Sequence, residues 1–148
     1  MTTSRIQRVF ANKAPQPIAP FSHATWAGDF LFVTGQMPID PVTNQYLDGG
    51  ISEQTHQVMS NLHQVLAAAG LSFHDVVSVR AFLADMTDYN AFNQVYQTYF
   101  SPQNLPSRTC VGVNGLAGGA KVEVDLVAMR GETGGIMESP SLGERRGQ

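Results

Sequence analysis

Lys121-Val122-Glu123-Val124-Asp125-Leu126-Val127-Ala128-Met129 alternates polar and apolar residues from Lys121 to Leu126 and then runs apolar, the pattern of a strand that packs one face against a second layer. Val122, Val124, Leu126 and Ala128 share one face, which we assign to covering helices, and Lys121, Glu123, Asp125, Val127 and Met129 share the other. Upstream, Arg108 to Val113 reads as another strand, with Arg108, Cys110 and Gly112 alternating against Thr109, Val111 and Val113. If those valines face the helices, Arg108, Cys110 and Glu123 point together to the open face. Phe30 to Thr34 and Val76 to Leu83 are further strands with large apolar groups on both faces, so the open face is expected to be covered by another subunit.

The layer that covers the sheet is legible in two helical periods. From Ser52, read as an N-cap with Glu53 in the first turn, apolar residues recur at Val58, Leu62, Val65, Leu66 and Ala69, and Gly70 marks the stop. From Thr87 a second helix lines up Tyr89, Phe92, Val95, Tyr96 and Tyr99 and ends before Pro102; this aromatic stripe is read as core. Gly28-Asp29 is a hairpin turn feeding the Phe30 strand, and Arg5 to Phe10 is a weaker strand. The order strand, hairpin, helix, strand, helix, strand, strand predicts an α+β fold with helices on one face of a sheet.

The 148 residues suffice for one hydrophobic core, and 43% hydrophobic content with fourteen Gly and eight Pro suits a globular chain. We read one domain over 1–130 and, after Met129, a Gly-, Ser- and charge-rich flexible tail over 131–148. The formal net charge of −3 with scattered Lys and Arg argues against nucleic acid as a partner. A single cysteine, no signal-peptide pattern and no long apolar run give the expectation of a cytoplasmic protein without membrane association.

Chemistry concentrates on Arg108. A strand-borne guanidinium on a half-buried face requires an anion, and its fork matches a carboxylate. The pattern leaves two partners open: Glu123, as an internal or intersubunit ion pair, or a ligand. His56, His63 and His74 lack metal-chelating spacing and are read as solvated, and Cys110 as a pocket wall rather than a nucleophile.

The segments Ala19-Pro-Phe-Ser-His-Ala24, Phe32-Val-Thr-Gly-Gln-Met-Pro38, Gln54-Thr-His-Gln-Val58 with Asn61-Leu62, Ala67-Ala-Ala-Gly70, Asp85-Met-Thr-Asp88, Asn93 to Tyr96, Pro106-Ser-Arg-Thr109 and Val122-Glu-Val124 follow one another in the order and spacing of a known pattern. Across about Phe10 to Met129 the chain resembles the YjgF/YER057c/UK114 (RidA) family of enamine/imine deaminases. The resemblance implies a chorismate-mutase-like mixed sheet with two helices on one face, a homotrimer with interfacial pockets, and no metal or cofactor. It implies a 2-iminobutanoate/2-iminopropanoate deaminase-like hydrolase converting small 2-imino or enamine acids to 2-oxo acids and ammonia. The site residues it implies are Arg108 for the substrate carboxylate, the Cys110 backbone beside it, Thr34, Gly35 and Phe21 lining the pocket, and Glu123 positioning water.

This sequence departs from the family pattern at Phe21, where a Tyr is usual, at His23, where Gln is common, and at Leu116-Ala117 in place of Leu-Pro. The missing phenol opens one alternative, another enamine such as an aminomuconate or aminoacrylate; a separate alternative from a different class is a non-catalytic trimer that binds a carboxylate metabolite. His23 is read as a structural or surface imidazole before an acid or base, and Asn93 as a structural hydrogen-bonding residue.

Overall fold

A computed structural model describes residues 5–131 together with 137 and 138; the rest of the segment expected to form the tail lies outside the described residues. Among them, β1 (Ile6–Val9), β2 (Ala24–Ala27), β3 (Phe30–Gln36), β4 (Val76–Leu83), β5 (Ser107–Gly112) and β6 (Val122–Met129) form one sheet in the order β1-β2-β3-β6-β4-β5. All neighbours are antiparallel except β4 and β5. Helices α1 (Ile51–Ala68) and α2 (Tyr89–Tyr96) pack on one face, the α+β architecture that the periodicities predict.

Local chemistry explains most element ends. Ala27 and Phe30 pair across Gly28-Asp29, and Gly28 at φ +58° supplies the left-handed first position of a two-residue turn. Helix α1 begins two residues before the expected cap: Gly50 is the N-cap, and the Glu53 carboxylate accepts its N–H at 2.5 Å. Its end is as expected, with Gly70 at φ +77° and Leu71 N–H reaching back to Leu66 O at 2.9 Å. The second helical segment is divided: 3₁₀ turns at Met86–Asp88 and Gln97–Tyr99 flank the α-helix.

Central strand β6 lies between β3 and β4 and alternates as read, with Val122, Val124, Leu126 and Ala128 buried against the helices. Edge strand β5 corrects an expectation. Its parallel register sets Arg108 beside Val79 and Cys110 beside Ala81, both buried residues of the helix face, whereas Val111 lies beside Phe82 and is 40% exposed. The valine side therefore faces away from the helices, and Arg108 and Cys110 face toward them. The physical reason is α2, whose aromatic residues and Asn93 make that corner hospitable to a guanidinium.

The opposite face carries Phe32, 51% exposed, with Phe30, Val111 and Met129 also exposed. Such clustering is more apolar than a solvated sheet face ordinarily shows. Its cross-strand charge pair is Arg80 opposite Asp125, with Nε to Oδ1 at 3.0 Å and Nη2 to Oδ2 at 2.7 Å. No described helix is long and apolar enough to cross a membrane.

The loop after β3 is fastened by Asn61, fully buried on α1, whose Nδ2 donates to Met37 O at 3.1 Å and Ile39 O at 2.9 Å. Replacing Asn61 by Ala leaves those carbonyls without their donor. The expected cost is about 2–4 kcal/mol, read as a lower urea midpoint at fixed protein concentration.

Candidate functional site

One cluster gathers on the open face around an irregularity in β3. Val33 pairs with Leu126 but Gln36 pairs with Val124, so Thr34 and Gly35 together oppose Asp125 as a bulge. The bulge turns the Gly35 backbone toward Glu123, whose side chain occupies the space where a Cβ at Gly35 would stand. Thr34, Gly35 and Phe21 line one concavity of about 710 Å³, which also reaches Arg8 and the Arg80–Asp125 pair. Thr34, Gly35 and Phe21 thus line one concavity, and Glu123 stands against Gly35 at its side.

Glu123 is half-buried, and its carboxylate accepts no hydrogen bond among the described residues. Burial, and then the charge of Asp125 two residues along the same face, push its pKa above the usual glutamate value. Tyr46 packs its ring over Gly118, and its phenol is raised first by burial and then by the Glu123 charge. The raised pKa makes the Glu123 carboxylate a stronger base than an exposed glutamate.

The second cluster lies on the other face of the sheet, at β5. Arg108 donates from Nη1 to Asn93 Oδ1 at 2.8 Å and from Nη2 to Tyr89 Oη at 3.2 Å. Its Cζ stands 4.8 Å from the Tyr96 ring centroid and 5.6 and 5.8 Å from those of Phe92 and Tyr89. Among the described residues no carboxylate comes within ion-pair distance; the pair that does form is Arg80–Asp125. A hollow of about 280 Å³ opens beside the guanidinium, lined by Asn93, Tyr96, Gln97, Leu105, Pro106 and Arg108.

Cys110 follows on the same strand and the same side. Burial raises its thiol pKa, with Arg108 pulling it down more weakly, which leaves a poor nucleophile and fits a wall residue. Its backbone offers more. Val113 N–H donates to Leu83 O at 2.9 Å, so odd-numbered residues turn their backbone groups inward to β4. Arg108, Cys110 and Gly112 turn theirs outward along the unpaired edge of the sheet.

Within one protomer, then, Arg108 and Cys110 lie together and Glu123, Gly35, Thr34 and Phe21 lie together, but the two groups occupy opposite faces with β4 between their strands. This corrects the expectation that Arg108, Cys110 and Glu123 share a face. It also removes the ion pair between Arg108 and Glu123 within the chain.

His23 is structural. It is 3% exposed, its Nδ1 accepts from Ala11 N–H at 2.8 Å, and its Nε2 donates to Pro15 O at 2.7 Å, so both nitrogens tie the 11–15 segment to β2. Asn93 does make a hydrogen bond, and its partner is the key arginine. His56, His63 and His74 are exposed, with His56 Nδ1 at 2.8 Å from Tyr99 Oη and His63 stacked on Phe73. Among the described residues no group of three or more His, Cys, Asp or Glu gathers as a metal site. Sequence reasoning missed Arg80, Tyr46 and Tyr89; the only available signal was the i, i+4 spacing that sets Tyr89, on a stripe read as core, beside Asn93, read as a structural hydrogen-bonding residue.

The endoribonuclease L-PSP family model matches residues 11–130. A RutC family protein of Pyrococcus horikoshii is 42% identical over 122 residues, covering 82% of this chain and 96% of its own. The human 2-iminobutanoate/2-iminopropanoate deaminase is 36% identical over 130 residues, covering 87% of this chain and 94% of its own. The crystal structure of Escherichia coli TdcF with bound serine superposes with a TM-score of 0.80 at 28% identity, covering 84% of this chain and 99% of that one. By the breadth of these matches and the six-stranded sheet with two helices on one face, the chain belongs to the endoribonuclease L-PSP family, the YjgF/RidA group.

Proposed function

We propose that this protein hydrolyses small 2-imino acids, and their enamine tautomers, to 2-oxo acids and ammonia, in pockets completed between the subunits of a homotrimer. The observation that carries the reading is the Arg108 guanidinium, gripped by neutral Asn93 and Tyr89 oxygens beside a hollow, with no acid of its own among the described residues. A human relative named for this deamination and a bacterial relative crystallised with an amino acid support it. The exposed apolar open face supports subunit contact, through which the Arg108 group of one copy meets the Glu123 group of another.

The chemistry runs as follows. Arg108 takes the substrate carboxylate through two N–H groups, with the outward Cys110 N–H as a further donor, and so holds the imine carbon in one place. Glu123 accepts a proton from water as the water oxygen bonds to that carbon, and that proton passes on to the imine nitrogen, giving a neutral carbinolamine. Glu123 then carries the hydroxyl proton to the same nitrogen as the carbon–nitrogen bond breaks, so that ammonia leaves and the 2-oxo acid forms. The balance is one imine and one water to one ketone and one ammonia, with no redox change. Phe21 supplies an apolar wall where related proteins have a phenol, so this pathway places its proton traffic on Glu123.

Three outcomes test the proposal. With an imine generated in situ from an amino acid, protein accelerates 2-oxo acid formation and Arg108→Ala lowers kcat/KM by about 100-fold, as loss of a charge-assisted carboxylate contact requires; equal rates with and without the wild-type protein refute the deaminase reading. Glu123→Gln lowers turnover by about 100-fold or more and removes the acidic limb of the wild-type pH profile. Its stability moves the other way: a raised carboxyl pKa contributes stability below the unfolded-state value and loses it as pH rises through the folded one. At neutral pH the Gln variant therefore melts no lower than wild type, and any advantage shrinks at about pH 4. Gly35→Ala drives the Glu123 carboxylate from its seat and lowers kcat/KM by about 10- to 100-fold. Little change in melting temperature accompanies it, because the displaced group is the end of a flexible side chain and Gly35 has no left-handed backbone requirement.

A further inference from the structure

Tyr89 opens α2, and Phe92, Asn93 and Tyr96 follow it on the same helical face, so four consecutive points of that stripe converge on one guanidinium. Phe92 and Tyr96 belong to the hydrophobic core, yet the same face also surrounds a charge. Here its rings lie within 6 Å of Arg108 Cζ while its two polar atoms each take one N–H.

A guanidinium has five N–H groups, roughly in one plane. Asn93 engages Nη1 and Tyr89 engages Nη2, leaving Nε–H and one hydrogen on each Nη. With Asn93 alone the terminal nitrogens could exchange by rotation about the Nε–Cζ bond; a second acceptor on the other nitrogen stops that rotation. The Tyr89 hydroxyl donates to no acceptor among the described residues, so accepting from Arg108 is its one polar contact there. It achieves this without adding negative charge, which a carboxylate in the same place would do at the expense of an anionic ligand.

We propose that Tyr89 is a positioning residue: its hydroxyl locks the Arg108 guanidinium so that one fixed pair of N–H groups meets the carboxylate of a 2-imino or 2-oxo acid. This inference rests on the reading of Arg108 as the carboxylate anchor. The ring alone does not suffice, because a phenyl group keeps the cation–π contact and loses the acceptor.

The test uses the full-length protein with 2-oxobutanoate as probe. Wild type, Tyr89→Phe and Arg108→Ala are titrated by NMR, and the Arg108 Nη–H resonances of the first two are recorded at low temperature. The expected result is separate Nη signals in wild type that merge in Tyr89→Phe, with a Kd raised about three- to tenfold, the worth of one hydrogen bond. KM for the imine rises by the same factor and kcat holds within twofold, the signature of lost ground-state anchoring. Tyr89 stands at the surface end of its stripe, so Tyr89→Phe folds, and unchanged amide spectra away from α2 and β5 verify the fold of each variant. Wild-type affinity in Tyr89→Phe, or Nη signals still separate, overturns the inference while leaving the anchor intact. Arg108→Ala binding the probe as wild type does overturns the anchor itself, and the inference with it.

Discussion

A half-buried positive charge solvated by neutral groups is the constraint around which this molecule is arranged. Removing a guanidinium from water is costly unless other dipoles replace the water, and the cheapest replacement is a carboxylate. Arg80 follows that route, since the antiparallel register sets Asp125 directly across from it. Arg108 does not: its neighbour across β4 is Val79, and its acceptors are an amide oxygen and a phenol. Two arginines on adjacent strands thus show opposite uses of one chemical group. Arg80 is neutralised by the scaffold, and Arg108 retains a charge that a visiting anion can neutralise.

The Glu123 side of the sheet shows the complementary arrangement. A carboxylate that accepts no hydrogen bond among the described residues, half-buried and two residues from Asp125, sits in an environment that disfavours its ionised form. The bulge at Thr34–Gly35 and the absence of a side chain at Gly35 create the space that the carboxylate occupies. Neither feature improves the sheet, since a bulge interrupts the ladder and a glycine packs nothing. Local disadvantages collected around one acidic group are what the proposed role of Glu123 accounts for.

What the sequence disclosed and what it hid divide along the same line. Central strand β6 is buried on one face over its whole length, so its alternation stated its orientation without ambiguity. Gly28 and Gly70 announced a turn and a helix end because each occupies a backbone region that other residues avoid. Edge strand β5 was misread, since Val111 and Cys110 are both plausible inward residues and the parity depends on what α2 places opposite. That information lies in the Tyr89, Phe92, Asn93 and Tyr96 stripe, whose aromatic character suggested nothing beyond core. His23 was similarly ambiguous until its two partners, Ala11 N–H and Pro15 O, were known. Candidate site residues could be named one at a time through family resemblance; their distribution over two faces could not, because it is a property of strand pairing.

That distribution has a consequence for assembly. Neighbouring strands lie about 4.8 Å apart, so Arg108 on β5 and Glu123 on β6 are separated by β4 as well as by the sheet itself, and a 2-imino acid with three or four heavy atoms beyond its carboxylate is too short to reach from an anchor on one face to a base on the other. If Arg108 and Glu123 act on the same molecule, they belong to different copies of the chain. The driving force for such an arrangement is present on the open face, where Phe32 and Val111 stand exposed and gain about 25 cal/mol for each Å² of apolar area removed from water. The free backbone edge of β5 lies beside Arg108, so a neighbour that covers it encloses the guanidinium as well and excludes competing water. Enclosure strengthens the bond between Arg108 and a carboxylate while making the charge of Glu123 harder to sustain, and both changes favour anchoring the acid and moving a proton from water. Subunit contact and catalysis are then linked by one event, the desolvation of two groups that neither face of a single protomer fully shields.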